Sequence, residues 1–280
     1  MKKSISYWSF PSDLKLKECF ALAKKSGFEA IEVALPSGKE LTLDSGKEDL
    51  IQVKKKANEA GLELSSLASG LFWDYSLTSN NSETREKAKQ IVRKMLEFAS
   101  DLNVDTILVV PGAVDVFFKP GGEVVSYDVV YERALSALKE LAPVAEKYRV
   151  NIGVENVWNK FLLSPLEMRD FIDKVGSPFV GAYFDVGNVI LTGYPEQWIR
   201  ILGKRIKKIH LKDFRNSVGN INGFVDLLEG DVNWKEVITA LKEIGYDGYL
   251  TAEMMPTYKE NDQALIYQTS QALDFILNRK

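Results

Sequence analysis

Three acids and the only histidine of this 280-residue chain stand at equivalent places in four separate strand-like segments. Glu155 ends Ile152-Gly153-Val154-Glu155, Asp185 ends Ala182-Tyr183-Phe184-Asp185, and Glu253 ends Leu250-Thr251-Ala252-Glu253. His210 stands in Arg205-Ile206-Lys207-Lys208-Ile209-His210-Leu211-Lys212-Asp213. Val154, Phe184, Ile209 and Ala252 precede the four polar residues. Strand alternation therefore turns each polar side chain away from the oily face. Any one acid alone reads as a cap or an ion-pair partner, and a lone histidine as a satisfied core or surface residue. Four strands each delivering one N or O donor at the same end form a metal-site pattern. Three carboxylates and one imidazole suit a single divalent ion, Mn²⁺, Mg²⁺, Co²⁺ or Zn²⁺. Without a cation such a cluster would bury unpaired negative charge at considerable cost.

The elements that must position these residues repeat as helix, turn and strand. Leu14 to Lys25 has helical periodicity, Gly27 closes it, and Ala30-Ile31-Glu32-Val33 follows as a strand. Asp49 to Ala60, Gly61 and Leu62 to Leu67 repeat the unit. Ser82, read as an N-cap, opens a helix to Asp101; Asn103 ends it before the strand Thr106 to Val110. Tyr127 to Tyr148 leads into the Glu155 strand, and Ser164-Pro165 starts a helix to Lys174 ahead of Phe179 to Phe184. Pro195 to Leu202 precedes the histidine strand, Trp234 to Ile244 precedes Tyr249 to Glu253, and Asp262 to Leu277 closes the chain. With a first strand at Ser4 to Trp8, eight strands alternate with eight helices. That alternation implies right-handed βαβ units, a parallel sheet and an α/β (β/α)₈ TIM barrel, whose sites lie at the C-terminal strand ends. A doubly wound open sheet is the second choice, disfavoured because no G-x-G-x-x-G follows the first strand. No long linker or low-complexity block interrupts residues 1–280, which read as one domain.

Composition excludes several classes. A formal charge of −3 leaves no basic footprint for nucleic acid and no polybasic membrane patch. Cys19 is the one cysteine, so neither a disulfide framework nor a thiolate zinc cluster can form, and its apolar neighbours mark it as core. No apolar run of about 18 residues is present, and Met1 to Tyr7 lacks a signal-peptide core. A cytoplasmic protein acting on a small molecule is the expectation, with homo-oligomerisation left open.

Gly153-Val154-Glu155-Asn156, Phe184-Asp185-Val186-Gly187-Asn188, Ile209-His210-Leu211-Lys212-Asp213 and Ala252-Glu253 resemble the sugar-phosphate isomerase/epimerase family, as does Glu229-Gly230-Asp231-Val232-Asn233-Trp234. That family belongs to the xylose-isomerase-like barrels and includes ketose 3-epimerases. The resemblance covers essentially the whole chain and is strongest from Gly153 to Glu253. It implies that Glu155, Asp185, His210 and Glu253 hold one divalent metal, Mn²⁺ foremost, and that Glu155 and Glu253 double as acid/base groups. Lewis-acid chemistry of this kind stabilises the enediolate formed when a ketose loses its α-proton. Two carboxylates flanking the sugar then exchange protons on opposite faces.

Where relatives carry a histidine three residues after the aspartate to touch a substrate hydroxyl, this chain has Asn188, which hydrogen-bonds but does not titrate near neutrality. Arg215 approximates the family's substrate-contacting arginine, or else is a solvated loop charge. Tyr7, Trp73 and Trp158 lie just past strand ends, where they either stack on sugar C–H faces or pack as core or lid. A sugar epimerase or aldose–ketose isomerase is the leading expectation. A sugar or inositol-derivative dehydratase and a non-catalytic sugar-binding barrel are the alternatives. An apurinic endonuclease is disfavoured, because its metal cluster needs several histidines and this chain has one.

Overall fold

The computed structural model describes residues 1–119, 121–255 and 258–279. Its strands are β1 Lys2–Ser6, β2 Ala30–Leu35, β3 Glu63–Ser69, β4 Thr106–Val109, β5 Asn151–Glu155, β6 Val180–Asp185, β7 Ile206–Leu211 and β8 Tyr249–Ala252. Each pairs in parallel with its sequence neighbours, and β8 returns to β1 through Lys2 opposite Tyr249 and Ile5 opposite Ala252, so the sheet closes. Closure decides against the open sheet. The helices are α1 Leu16–Lys25, α2 Lys47–Glu59, α3 Ser82–Leu102, α4 Tyr127–Tyr148, α5 Pro165–Val175, α6 Pro195–Leu202, α7 Trp234–Glu243 and α8 Ala264–Ile276. Their apolar stripes cover the outside of the barrel; α3, for example, buries Ala88, Ile91, Val92, Met95, Leu96 and Ala99.

Local chemistry sets the ends of these elements. The Ser164 hydroxyl accepts from the amide of Glu167 with Pro165 at the first helical position, and the Asn233 side chain accepts from Glu236. The backbone turns with positive φ at Gly27, Gly61 and Gly245, between helix and next strand. Two expectations need correction. The first strand stops at Ser6, and Tyr7–Ser9 is a turn of 3₁₀ helix, because the Ser6 hydroxyl accepts from the amide of Trp8 and caps it. Asn81 rather than Ser82 caps α3, its side chain accepting from Glu83 and Thr84. Both shifts are of one or two residues, yet the first decides which N-terminal aromatic faces the site.

Two irregularities in the ladder have consequences inside the barrel. Between Ile31 and Val33 of β2 the partner in β3 jumps from Leu64 to Leu67, and between Ala182 and Tyr183 of β6 the partner in β7 jumps from Ile206 to Lys208. Bulges of this kind re-aim side chains next to active sites. Here they bring Glu32 and Tyr183 together in the interior. Gly153, whose Cβ would lie 3.0 Å from the Tyr183 side chain, leaves room for that ring.

Candidate metal centre and active-site cavity

Glu155 and Asp185 occupy the last positions of β5 and β6, His210 lies one residue before the end of β7, and Glu253 follows β8 directly. Asp185 is the register partner of His210, and the Glu253 amide donates to the Leu211 carbonyl at 3.1 Å. The four side chains converge: one donor atom from each lies within 4.8 Å of the others. All are buried except Glu253, which is partly exposed.

The interior holds each of them in place. Asp185 Oδ1 accepts from the Asn188 amide at 2.9 Å, and the Asn156 side chain brackets the Asp185 backbone, donating to its carbonyl and accepting from its amide, both at 2.8 Å. His210 presents Nδ1 to Glu253 Oε2 at 2.8 Å and Glu155 Oε1 at 3.6 Å, while Nε2 lies 2.9 Å from Glu32 Oε1. Nδ1 makes no aligned hydrogen bond despite its burial. The Lys212 ammonium sits 2.6 Å from Asp185 Oδ2 and 2.7 Å from Glu253 Oε2. It is a cation embedded in the cluster.

The electrostatics follow from burial and crowding. Burial pushes the Glu155 carboxyl up to about 7, against the opposing pull of His210 and Lys212. Burial pushes Glu253 the same way, but Lys212 and His210 outweigh it and hold this carboxyl well below the usual range. Burial also disfavours charge on His210 and Lys212, yet the carboxylates around them raise both above their ordinary values. The cluster therefore attracts positive charge. A buried imidazole whose Nδ1 faces two carboxylates, a third carboxylate beside them and an ammonium already drawn into the cluster fit a divalent cation.

Above the cluster opens a cavity of about 430 Å³ lined by Glu155, Glu253 and Lys212, and by the rings of Trp8, Trp73, Phe117, Phe118, Trp158 and Phe224. Trp73, Trp158 and Asn188 are among its lining residues, and Trp158 Nε1 donates to the Asn188 carbonyl at 2.9 Å. Tyr7 and Arg215 are not among the lining residues. The 3₁₀ turn sends Trp8 into the cavity in place of Tyr7, and Arg215 is half exposed with Nε donating to the Glu229 carbonyl at 3.0 Å. Glu32, Ser66 and Tyr183, behind His210, were not singled out from sequence. An acid inside the otherwise apolar Ala30-Ile31-Glu32-Val33-Ala34-Leu35 was the available signal.

The site loop has its own anchor. Asp213, next to Lys212, accepts from the amides of Leu228 at 3.0 Å and Val232 at 3.2 Å and from Trp234 Nε1 at 3.0 Å. A short antiparallel ribbon, Asp213–Phe214 with Phe224–Val225, carries Phe224 to the cavity wall.

The fold and the site together define a closed parallel barrel with four candidate metal donors at the C-terminal strand ends. Residues 20–276 match the xylose isomerase-like TIM barrel family, and the chain belongs to it. An uncharacterised protein of Methanocaldococcus jannaschii, MJ1311, is 28% identical over 189 residues, spanning 65% of this chain and 61% of that protein. The L-ribulose-5-phosphate 3-epimerase UlaE of Salmonella heidelberg is 24% identical over 294 residues, covering 100% of this chain and 96% of its own. The structure of D-psicose 3-epimerase with D-tagatose from Clostridium cellulolyticum H10 superposes with a TM-score of 0.82 at 20% identity, covering 99% of both chains. The zinc-bound IOLI protein superposes equally well, with a TM-score of 0.82 at 18% identity over 100% of this chain and 99% of that one. Among the described residues no helix is long and apolar enough to cross a membrane.

Proposed function

We propose that this protein is a divalent-metal-dependent isomerase that epimerises or isomerises a ketose. The observation that carries the reading is the convergence of Glu155, Asp185, His210 and Glu253 within 4.8 Å, at the base of an aromatic-walled cavity. The chain's similarity to an L-ribulose-5-phosphate 3-epimerase and a D-psicose 3-epimerase supports it, and the two span phosphorylated and free ketoses. Zinc in a neighbour of the same fold agrees with the borderline donor set, which also accepts Mn²⁺.

The four residues would hold the ion. When bound, it supplies Lewis-acid polarisation of a carbonyl, which acidifies the neighbouring C–H. The protein's own groups supply the rest. Glu155 and Glu253 reach the cavity from β5 and β8, three strands apart, so their carboxylates address a ligand from different sides. One removes the α-proton and the other delivers a proton to the opposite face, which inverts the carbon; return to the adjacent carbon gives isomerisation instead. The aromatic walls exclude water and offer flat surfaces to sugar C–H faces. Asn188, at the rim, offers a non-titrating hydrogen-bonding group to a hydroxyl.

Two measurements test the reading together. His210→Ala should lose most bound metal on dialysis, and the parent protein should convert at least one member of a ketose panel. Full metal retention by the variant would remove the assigned ligand set.

A further inference from the structure

Glu32 is wholly buried in the barrel interior, where an isolated carboxylate would be expensive. Its environment is organised around it. Oε2 accepts from the Ser66 hydroxyl at 2.8 Å and from the Tyr183 hydroxyl, and Oε1 faces His210 Nε2 at 2.9 Å. Ser66 and Tyr183 are themselves 2.9 Å apart, and Ser65 continues the chain to Ser4 at 2.9 Å. Both sheet irregularities fall at this cluster, one at Glu32 and one beside Tyr183. A carboxylate is acceptor-only, so all three neighbours donate to it and the proton between Glu32 and the ring belongs to Nε2. The imidazole is the basic group that faces this charge, while the Lys212 ammonium is engaged with Asp185 and Glu253.

We propose that Glu32 is a positioning residue that keeps the proton of His210 on Nε2 and so reserves Nδ1 for the metal. The inference deepens the functional reading above and rests on it. His210 Nδ1 already points at Glu155 and Glu253, and a ring anchored at Nε2 cannot flip without breaking the bond to Glu32. Ser66 and Tyr183 fix the carboxylate, so the orientation is passed from β3 and β6 through β2 to the ligand on β7. Such outer partners of a ligating histidine are worth about 10–100-fold in metal affinity.

The chain's single histidine makes the test direct, because ¹⁵N-histidine labelling yields one imidazole. In the Zn²⁺-loaded protein, the spectrum should show a proton bonded to Nε2 and a metal-shifted Nδ1. Zinc on Nε2, or a proton on Nδ1, overturns the proposal without any mutant. Glu32→Gln keeps the shape and should lower Zn²⁺ affinity about 10–100-fold by competition titration. It should also broaden or split the imidazole signals, while the far-ultraviolet spectrum stays parental. Parental affinity and an unchanged tautomer in Glu32→Gln would assign the residue to the core alone. If His210→Ala itself binds zinc normally, the ligand set fails and takes the role of Glu32 with it, whereas normal zinc binding by Glu32→Gln alone overturns only the role of Glu32.

Discussion

Lys212 Nζ lies 2.7 Å from Glu253 Oε2 and 2.6 Å from Asp185 Oδ2, so a metal ion held by the proposed ligands would compete with the ammonium for the same two carboxylates. In the metal-free protein Lys212 is what makes the cluster tolerable. Lys212→Met should therefore destabilise the metal-free form by about 3–5 kcal/mol, the cost of leaving a buried charge without its partner. Its metal affinity should rise at the same time, since the internal competitor is gone. Melting curves with and without Zn²⁺ give both quantities; a variant with parental metal-free stability would show that the ammonium contributes nothing there.

The acid pushed up to about 7 sets a pH dependence. A carboxyl whose folded value lies above its ordinary 4.5 binds more protons folded than unfolded between those two values. Stability of the metal-free protein through Glu155 is therefore full below about 4.5 and is lost as pH rises to about 7. A metal must displace that proton, so affinity should climb over the same window with proton release. Calorimetry in buffers of different ionisation enthalpy measures the release. Glu155→Gln should release fewer protons; equal release would place the titrating group elsewhere.

The barrel was largely legible from sequence, because eight short strand-like segments alternating with amphipathic helices admit few readings other than a closed parallel barrel. The four donors were legible because each follows an apolar residue at a strand end. Tyr7 was misplaced because one serine cap, Ser6, ends the strand early and rotates Trp8 into the cavity. Arg215 stands as the loop charge that was its alternative reading; a loop charge carries no periodicity, and its contact with Glu229 depends on how the loop closes. Glu32 escaped notice because its role arises from two sheet irregularities, which no alternation pattern announces.

The loop over the cavity depends on Asp213 and on the bare Gly230. A Cβ at Gly230 would lie 2.1 Å from Asp213 Oδ1 and 2.5 Å from the Phe214 amide. Gly230→Ala should displace the ribbon that carries Phe224, raising KM well before it affects metal binding. Asp213→Ala leaves buried donors unsatisfied, at about 1–3 kcal/mol each. Thermal unfolding alongside KM checks both; a Gly230→Ala enzyme with parental KM would show that the loop takes no part in ligand binding.

Glu155→Gln and Glu253→Gln separate the two proton transfers. Each keeps a ligating oxygen while removing the base, so metal should remain and turnover should fall by at least about 10²-fold. One variant should still exchange the α-proton of one epimer with solvent, and the other variant that of the opposite epimer. Near-parental conversion by either would exclude the two-glutamate scheme and turn attention to Lys212.

Enolisation of a ketose at this cluster is read directly by solvent exchange. Metal-loaded protein is incubated in D₂O with a panel of free and phosphorylated ketoses, and the recovered sugars are read by NMR. Deuterium is expected at the carbon next to the carbonyl in substrate and product of at least one ketose, abolished by chelation and in His210→Ala. Tight, metal-dependent binding of a ketose with no deuterium incorporated and no product formed would contradict it, and leave a binding protein in place of an enzyme.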